Sequence, residues 1–99
     1  MTSRPAFMSH RADDDVAVAV RDVSPGLQSV ANLETSATVE VEVSAEIPLG
    51  HKVALRNIAK GREVIEYGLP IGIATADIAG GSYVHTQNLR SAKWQNSTI

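Results

Sequence analysis

The sequence predicts a small all-β domain, and three features of the chain lead to this fold class. Aromatic residues make up only 4% of the 99 residues, so the core has to be built from Val, Ile, Leu and Ala, and β-branched side chains favour strands. The segment Ala37–Ile47 alternates apolar and polar residues, which is typical of a strand with one buried face. Elsewhere Gly, Pro, Asp and Asn recur so often that no helix longer than about two turns fits the chain.

A repeated unit organises the second half of the chain. Ala54–Gly68 aligns with Ala74–Asn88, and a fainter copy lies at Ala19–Gly26. In each copy a short strand ends at Asp or Asn, an Ile or Val follows, and a Gly comes shortly afterwards. We expect the Asp or Asn side chain to cap one turn of 3₁₀ or α-helix next to it in sequence, and the Gly to supply a positive φ. Two strong copies and one weak copy favour a small barrel-like domain over a solenoid.

The first half of the chain begins loosely. Residues 1–12 are interpreted as a flexible lead, and the acids Asp13–Asp15 as a solvated turn before a strand. Val16–Val20 is apolar on both faces and is therefore predicted to lie inside the sheet. Leu27–Leu33 is a weaker strand. In Ala37–Ile47 the glutamates are predicted to face solvent, while the alternate valines are buried.

The later elements surround the repeat. Strands are predicted at Lys52–Leu55, Glu63–Tyr67, Ile71–Ala76 and Ser82–Gln87, with a turn at Gly68–Pro70. The domain is predicted to span residues 13–90. Residues 91–99 are predicted to form a polar tail that carries the single tryptophan, Trp94.

Composition excludes several classes of function. A formal net charge of −2 without a basic face gives no reason to expect nucleic acid as a partner. No apolar run approaches the roughly 20 residues that span a bilayer, so no membrane association is predicted. The chain has no Cys, which excludes disulfide and thiolate chemistry and fits a reducing cytoplasm, the predicted location.

Two histidines are the candidates for chemistry. The chain has no strand–Gly loop–helix unit for binding phosphate, and no spacing singles out a serine nucleophile. His51 heads a predicted strand, and alternation along the last strand puts Tyr83, His85 and Gln87 on one face. Imidazole exchanges protons near neutral pH and binds divalent transition metals. From the residues alone, an ordinary polar or core role is the favoured interpretation of each histidine, and the function stays unassigned.

Five segments of the chain resemble one known family. They look like the N-terminal domain of the altronate/galactarate dehydratase family, and they are LGHKVAL (Leu49–Leu55), IAKG (Ile58–Gly61), VIEYGLPIG (Val64–Gly72), ADIAGG (Ala76–Gly81) and YVHTQN (Tyr83–Asn88). The resemblance extends over Asp14–Arg90. It implies a SAF domain, which is a small β-clip barrel.

Two features depart from the family pattern. The last strand of the family typically reads V-H-x-H-N, and Gln87 stands here in place of the second histidine. Glutamine is neither a base near neutral pH nor a good ligand for iron-like metals. In long family members the domain precedes a much larger catalytic region, whereas NLRSAKW here resembles the endings of stand-alone small subunits. Such subunits occur in two-chain sugar-acid dehydratases and in sulfolactate sulfo-lyases.

The resemblance implies the small subunit of a metal-dependent hydro-lyase acting on a sugar acid such as altronate or galactarate, or of a related sulfo-lyase. A separate large subunit would complete the active site and share a divalent metal, iron(II) or manganese. The substrate would be a small hydroxy acid. In this family role His85 is expected as metal ligand or proton carrier and His51 as a second catalytic residue. The residues expected to bind substrate are Lys52, Gln87 and Asn88.

Two other functions stay open at this point. Gln87 could mark a non-catalytic β-clip module used for binding or scaffolding. Alternatively, the acidic face formed by Glu40, Glu42 and Glu46 could meet a basic partner. Self-association into a homo-oligomer is also left open.

Overall fold

A computed structural model describes residues 4–91 as nine strands in two sheets. The six-stranded sheet has the order β4-β3-β1-β2-β5-β8, and the three-stranded sheet has the order β6-β7-β9. The strands are β1 (Phe7–Ser9), β2 (Val16–Ala19), β3 (Gly26–Asn32), β4 (Thr38–Val43), β5 (Lys52–Ala54), β6 (Glu63–Glu66), β7 (Leu69–Ala74), β8 (Tyr83–Val84) and β9 (Leu89–Ser91). No residue of this described range is helical, and the predicted all-β fold class is confirmed.

The first strand lies where the sequence predicted an irregular lead. Phe7–Ser9 pairs with β2 on one side and, in parallel, with β3 on the other, and Ala6 and Phe7 are fully buried. The expectation of a flexible segment over residues 1–12 is therefore wrong for β1. This short strand is stabilised by pairing with β3, a parallel strand about twenty residues away in sequence. Pairing over that separation leaves no periodic pattern in the sequence of β1 itself.

Two apolar cores lie on opposite faces of β2. Ala17 and Ala19 belong to the larger core with Phe7, whereas Val16 belongs to the second core with Val64. Because successive residues of a strand point to opposite faces, a strand buried on both sides has to be apolar throughout. The prediction that this strand lies inside the sheet is confirmed.

The repeat is present in four copies that pair two by two. Val23 pairs with Ile47, and Ile58 pairs with Ile78, each through two backbone hydrogen bonds. The copy at Ile47 was not recognised in the sequence. In all four copies the glycine three positions further on has a positive φ, and these glycines are Gly26, Gly50, Gly61 and Gly81.

The polar caps of the repeat reach across to the paired copy. The backbone N–H of Lys60 donates to Asp77 and that of Gly80 donates to Asn57, both at 2.9 Å. Asp22 accepts from Leu49 in the same way. The expectation that each side chain caps its own neighbouring turn, with a short 3₁₀ or α-helix, is therefore wrong. In the copies that contain Gly50, Gly61 and Gly81, a single backbone hydrogen bond closes the turn. The polar side chains reach the other copy because the antiparallel bridge brings its N–H groups within reach.

Several strand limits differ from the predictions. β4 ends at Val43, and Val39 is 56% exposed, so only part of the alternating segment has a buried face. Tyr67 and Gly68 both have positive φ and form a two-residue hairpin turn, so β7 begins at Leu69 and includes Pro70.

The end of the domain also differs. The last predicted strand is only Tyr83–Val84, followed by a turn and by β9, which pairs with β7. Leu89–Ser91 is thus a strand that was not predicted, and it extends one residue into the expected tail. Trp94 lies outside the described residues. Over residues 4–91 we find no helix long and apolar enough to cross a membrane.

Candidate functional site

Three aromatic rings meet at one end of β5 and β8, and we call His51, Tyr83 and His85 the ring cluster. His51 comes directly before β5, Tyr83 begins β8, and His85 follows β8. β5 and β8 are antiparallel, with Val53 opposite Tyr83, so the start of one strand lies beside the end of the other. The ring centroids of His51 and His85 are 5.0 Å apart. The structure thus brings together the two histidines singled out in the sequence.

The geometry of the ring cluster is set mainly by Tyr83. Its hydroxyl is 2.5 Å from Nδ1 of His51, and its ring stacks on His85 with centroids 5.5 Å apart and an interplanar angle of 18°. His51 and Tyr83 are half-buried, while His85 is exposed. The imidazole of His85 is therefore accessible from outside this chain.

The turn His85–Asn88 is closed by an amide side chain. Asn88 Oδ1 accepts from the backbone N–H of His85 at 3.0 Å, and its Nδ2 donates to the carbonyl of Tyr83 at 2.9 Å. Gln87 Nε2 donates to the same carbonyl at 3.3 Å. The sequence expectation that Gln87 lies on a strand face with His85 is wrong, because both residues are in this turn. Asn88 thus bonds the backbone on both sides of Val84 and fixes the backbone position from which the His85 side chain projects.

Lys52 is not brought to the ring cluster. It is in register with Val84, while the neighbouring pair is Val53 with Tyr83, so alternation places Lys52 on the face of β5 opposite Tyr83. Its ammonium lies 3.8 Å from the carboxylate of Glu66 on β6. The structure therefore separates this predicted substrate-binding residue from the two histidines.

A pair of buried acids precedes β2, where no sequence pattern predicts burial. Asp14 and Asp15 are fully buried, although the run Asp13–Asp15 was expected to be solvated. Asp15 accepts hydrogen bonds from Arg56 at 3.3 Å, from Arg62 at 3.1 Å and from the backbone N–H of Ile65 at 2.8 Å. Its partners lie more than forty residues away in sequence, and no local signal marks them.

Asp14 is satisfied entirely by backbone donors. Burial raises the pKa of its carboxyl, but N–H groups of Tyr67, Gly68, Arg11 and His10 donate to it and together hold the pKa below its usual value. A carboxylate that accepts several backbone N–H groups in an enclosed position is stabilised in its charged form. We interpret the two acids as a clamp between β2 and the β6–β7 hairpin.

The residues that the structure describes do not make a complete metal site. Within residues 4–91 no group of three His, Asp or Glu side chains converges as metal ligands would. The ring cluster offers two imidazoles and one phenol. A resident metal at this position would need ligands in addition to these three side chains.

Comparison with known proteins gives one family and two kinds of relative. Residues 5–92 match the family described as the altronate/galactarate dehydratase SAF domain. Altronate dehydratase of Escherichia coli K12 is 44% identical over 85 residues, which is 86% of this chain but 16% of that enzyme. The (2R)-sulfolactate sulfo-lyase subunit alpha of Chromohalobacter salexigens is 34% identical over 90 residues, covering 89% of this chain and 96% of that subunit. The corresponding subunit of Paracoccus pantotrophus is 44% identical over 50 residues, half of this chain and 75% of that subunit.

Proposed function

The chain belongs to the altronate/galactarate dehydratase SAF-domain family, and on that basis we propose that it is the small subunit of a lyase. The reaction would eliminate water, or sulfite, from a hydroxy acid. A sugar acid such as altronate or galactarate and a sulfonated hydroxy acid are the two substrate classes proposed. The relative that this chain matches over 96% of its length is named as a subunit, which supports the small-subunit role.

The observation that carries the proposal is the pair of adjacent imidazoles in the ring cluster, of which that of His85 is exposed. Elimination next to a carboxylate needs a base for the α-proton and an acid for the leaving group. Imidazole is the side chain whose unperturbed pKa suits both roles near neutral pH. His51 and His85 stand 5.0 Å apart, centroid to centroid, at the edge of the sheet, so one substrate can contact both.

The remaining groups are proposed to come from a large subunit. The two imidazoles alone do not hold a carboxylate or stabilise a developing enolate, which needs cations or hydrogen-bond donors. Lys52 faces Glu66 instead, and Asn88 is used by the turn. A second chain docked over the ring cluster would supply what is missing and would exclude water from the reaction.

We also propose that the two chains share a divalent metal, iron(II) or manganese. Where His85 contributes its one bare nitrogen to this metal instead of acting as the base, the base comes from the large subunit. Such an ion supplies Lewis acidity to the departing oxygen or sulfur group. His85 suits this role because its ring is exposed, whereas His51 already bonds Tyr83 through Nδ1. A cytoplasmic location is proposed as well, since a cysteine-free chain suits a reducing compartment.

The test is reconstitution with the proposed large chain, which we expect to be dehydratase-like and to be encoded next to this one. We expect neither chain to be active alone, and the pair to release water or sulfite from a member of an acid panel that spans both substrate classes. His85→Ala in the pair should lower kcat by about 10²-fold or more, the usual effect of removing an acid–base group.

The matched control uses the third histidine of the chain. His10→Ala removes a ring that stacks on Tyr67 with centroids 4.2 Å apart, and it should leave kcat within about twofold of wild type. Wild-type activity in the His85→Ala pair would refute a catalytic role and leave a non-catalytic β-clip module.

A further inference from the structure

We propose that Tyr83 is a positioning residue that fixes His51 in one tautomer, with the proton on Nε2. His51 then presents an N–H donor to the site, and His85 presents the free lone pair. The catalytic consequence rests on the proposed function, but the tautomer is a property of this chain alone. Neither the sequence motifs nor the family match assigns a role to this tyrosine.

Tyr83 is itself held firmly. Its ring packs against the larger apolar core, and its backbone is paired with Val53, which is fully buried. The amides of Gln87 and Asn88 both donate to its carbonyl. A phenol anchored at backbone and ring has little freedom, so its hydroxyl is a fixed reference point for the imidazole beside it.

The chemistry of the short contact sets the direction of the hydrogen bond. A neutral imidazole has one bare nitrogen that accepts and one N–H that donates, and the bond made by one nitrogen decides which form is present. The bare imidazole nitrogen is a stronger base than a phenol oxygen. The hydroxyl of Tyr83 therefore donates to Nδ1 of His51, and the ring proton has to be on Nε2.

The two histidines consequently have different tasks. Nε2–H of His51 can donate to a substrate oxygen but cannot bind a metal or accept a proton while the Tyr83 bond is kept. His85 is held through its backbone by Asn88, and its exposed ring stacks on Tyr83. The division makes His51 the donor and His85 the base or ligand, and the hydroxyl of Tyr83 acts on the reaction only through His51.

The first test reads the tautomer directly in the complete chain. Histidine labelled with ¹⁵N is recorded by NMR at about pH 8.5, where an ordinary imidazole is neutral. We expect His51 to show a bare Nδ1 and a protonated Nε2 in the wild type. Tyr83→Phe keeps the ring and its stacking, and it should turn the single His51 pattern into an average of both tautomers.

The control is the other tyrosine of the chain. Tyr67→Phe changes a 58% exposed ring that stacks on His10, and it should leave the His51 signals unchanged. A wild-type His51 protonated at Nδ1 would overturn the proposal. So would a Tyr83→Phe spectrum in which the His51 pattern is the same as in the wild type.

The second test measures catalysis in the reconstituted pair. A misplaced catalytic group lowers the rate of the chemical step more than it weakens substrate binding. Tyr83→Phe should therefore lower kcat about tenfold or more and change KM less than about threefold. Unchanged kcat in Tyr83→Phe, with His51→Ala inactive, would overturn the positioning role and leave the proposed function intact. Full activity of both His51→Ala and His85→Ala would refute the proposed function, while the NMR result would still decide the tautomer.

Discussion

Gly81 and Gly61 occupy equivalent places in the repeat. Replacing each by alanine separates the cost of backbone strain at positive φ from the cost of a steric clash of the new Cβ. Their φ angles are +89° and +88°, so the backbone strain of adding a Cβ is the same. A Cβ at Gly61 would meet nothing within 4 Å, whereas one at Gly81 would lie 1.8 Å from the carbonyl oxygen of Glu42. Only the second substitution forces two backbone segments apart.

The expected magnitudes follow from this geometry. Gly61→Ala should lower the free energy of unfolding by about 1–2 kcal/mol, the cost of a side chain in the left-handed region. Gly81→Ala carries the same strain, and relief of the clash moves β4 away from the turn. That movement breaks the hydrogen bond from the N–H of Ser44 to the carbonyl of Gly81, which is 3.0 Å long. Overpacking and the lost bond bring the total to about 3–6 kcal/mol.

The assay is urea unfolding of the two variants followed by circular dichroism. Equal m-values allow the midpoints to be compared as stabilities. Gly50→Ala is a second control, because its φ is +84° and it has no neighbour within 4 Å of an added Cβ. If all three variants lost the same stability, the close packing of Gly81 on β4 would not be a determinant of the fold, and the reasoning would be refuted.

Two further predictions concern the buried acids. Asp15→Asn should lower the free energy of unfolding by about 2–3 kcal/mol, because it leaves the half-exposed Arg56 and Arg62 without their shared carboxylate. The control Asp13→Asn changes an exposed acid and should shift the urea midpoint little. Equal effects of the two variants would contradict the clamp. The pKa of Asp14 is held below its usual value in the folded state, so its ionised carboxylate stabilises the fold. This stabilisation is complete above about pH 4, the pKa of an unfolded Asp, and is lost as the pH falls through the pKa of the folded state. Urea midpoints measured down the acid range should therefore fall more steeply for the wild type than for Asp14→Asn, and parallel curves would show that this carboxyl does not contribute.

Patterns within a few residues of one another predicted the fold well. The run that is apolar on both faces predicted β2, and the glycines of the three recognised copies, Gly26, Gly61 and Gly81, do have a positive φ. The features that were missed depend on partners far along the chain. β1 pairs in parallel with β3, and the buried Asp15 meets Arg62 across a separation of 47 residues. A run of acids looks solvated in sequence because the cations and N–H groups that stabilise it are not next to it.

The candidate site was predicted in part for the same reason. His51 and His85 were identified by their chemistry, and the pairing of β5 with β8 brings them together. The role of Asn88 became visible only in the structure, where the predicted strand over residues 82–87 ends at Val84 and a turn follows over His85–Asn88. The contact between the Tyr83 hydroxyl and His51 was not predicted, because alternation along a strand gives the face of a residue but not its distance from another side chain.

The repeat supplies one residue to the ring cluster and one to the clamp from the same kind of turn. His51, Arg62 and Ser82 each follow a repeat glycine, and each backbone N–H closes the same turn by donating to the carbonyl three residues earlier. One copy thus starts a strand with the imidazole of the ring cluster, and another starts a strand with the guanidinium that binds Asp15. The turn fixes the backbone position of these two side chains. The residue type after the glycine, His51 in one copy and Arg62 in another, determines which interaction is made there. A site built in this way needs few residues of its own, because its backbone is set by the same hydrogen bonds that hold the domain together.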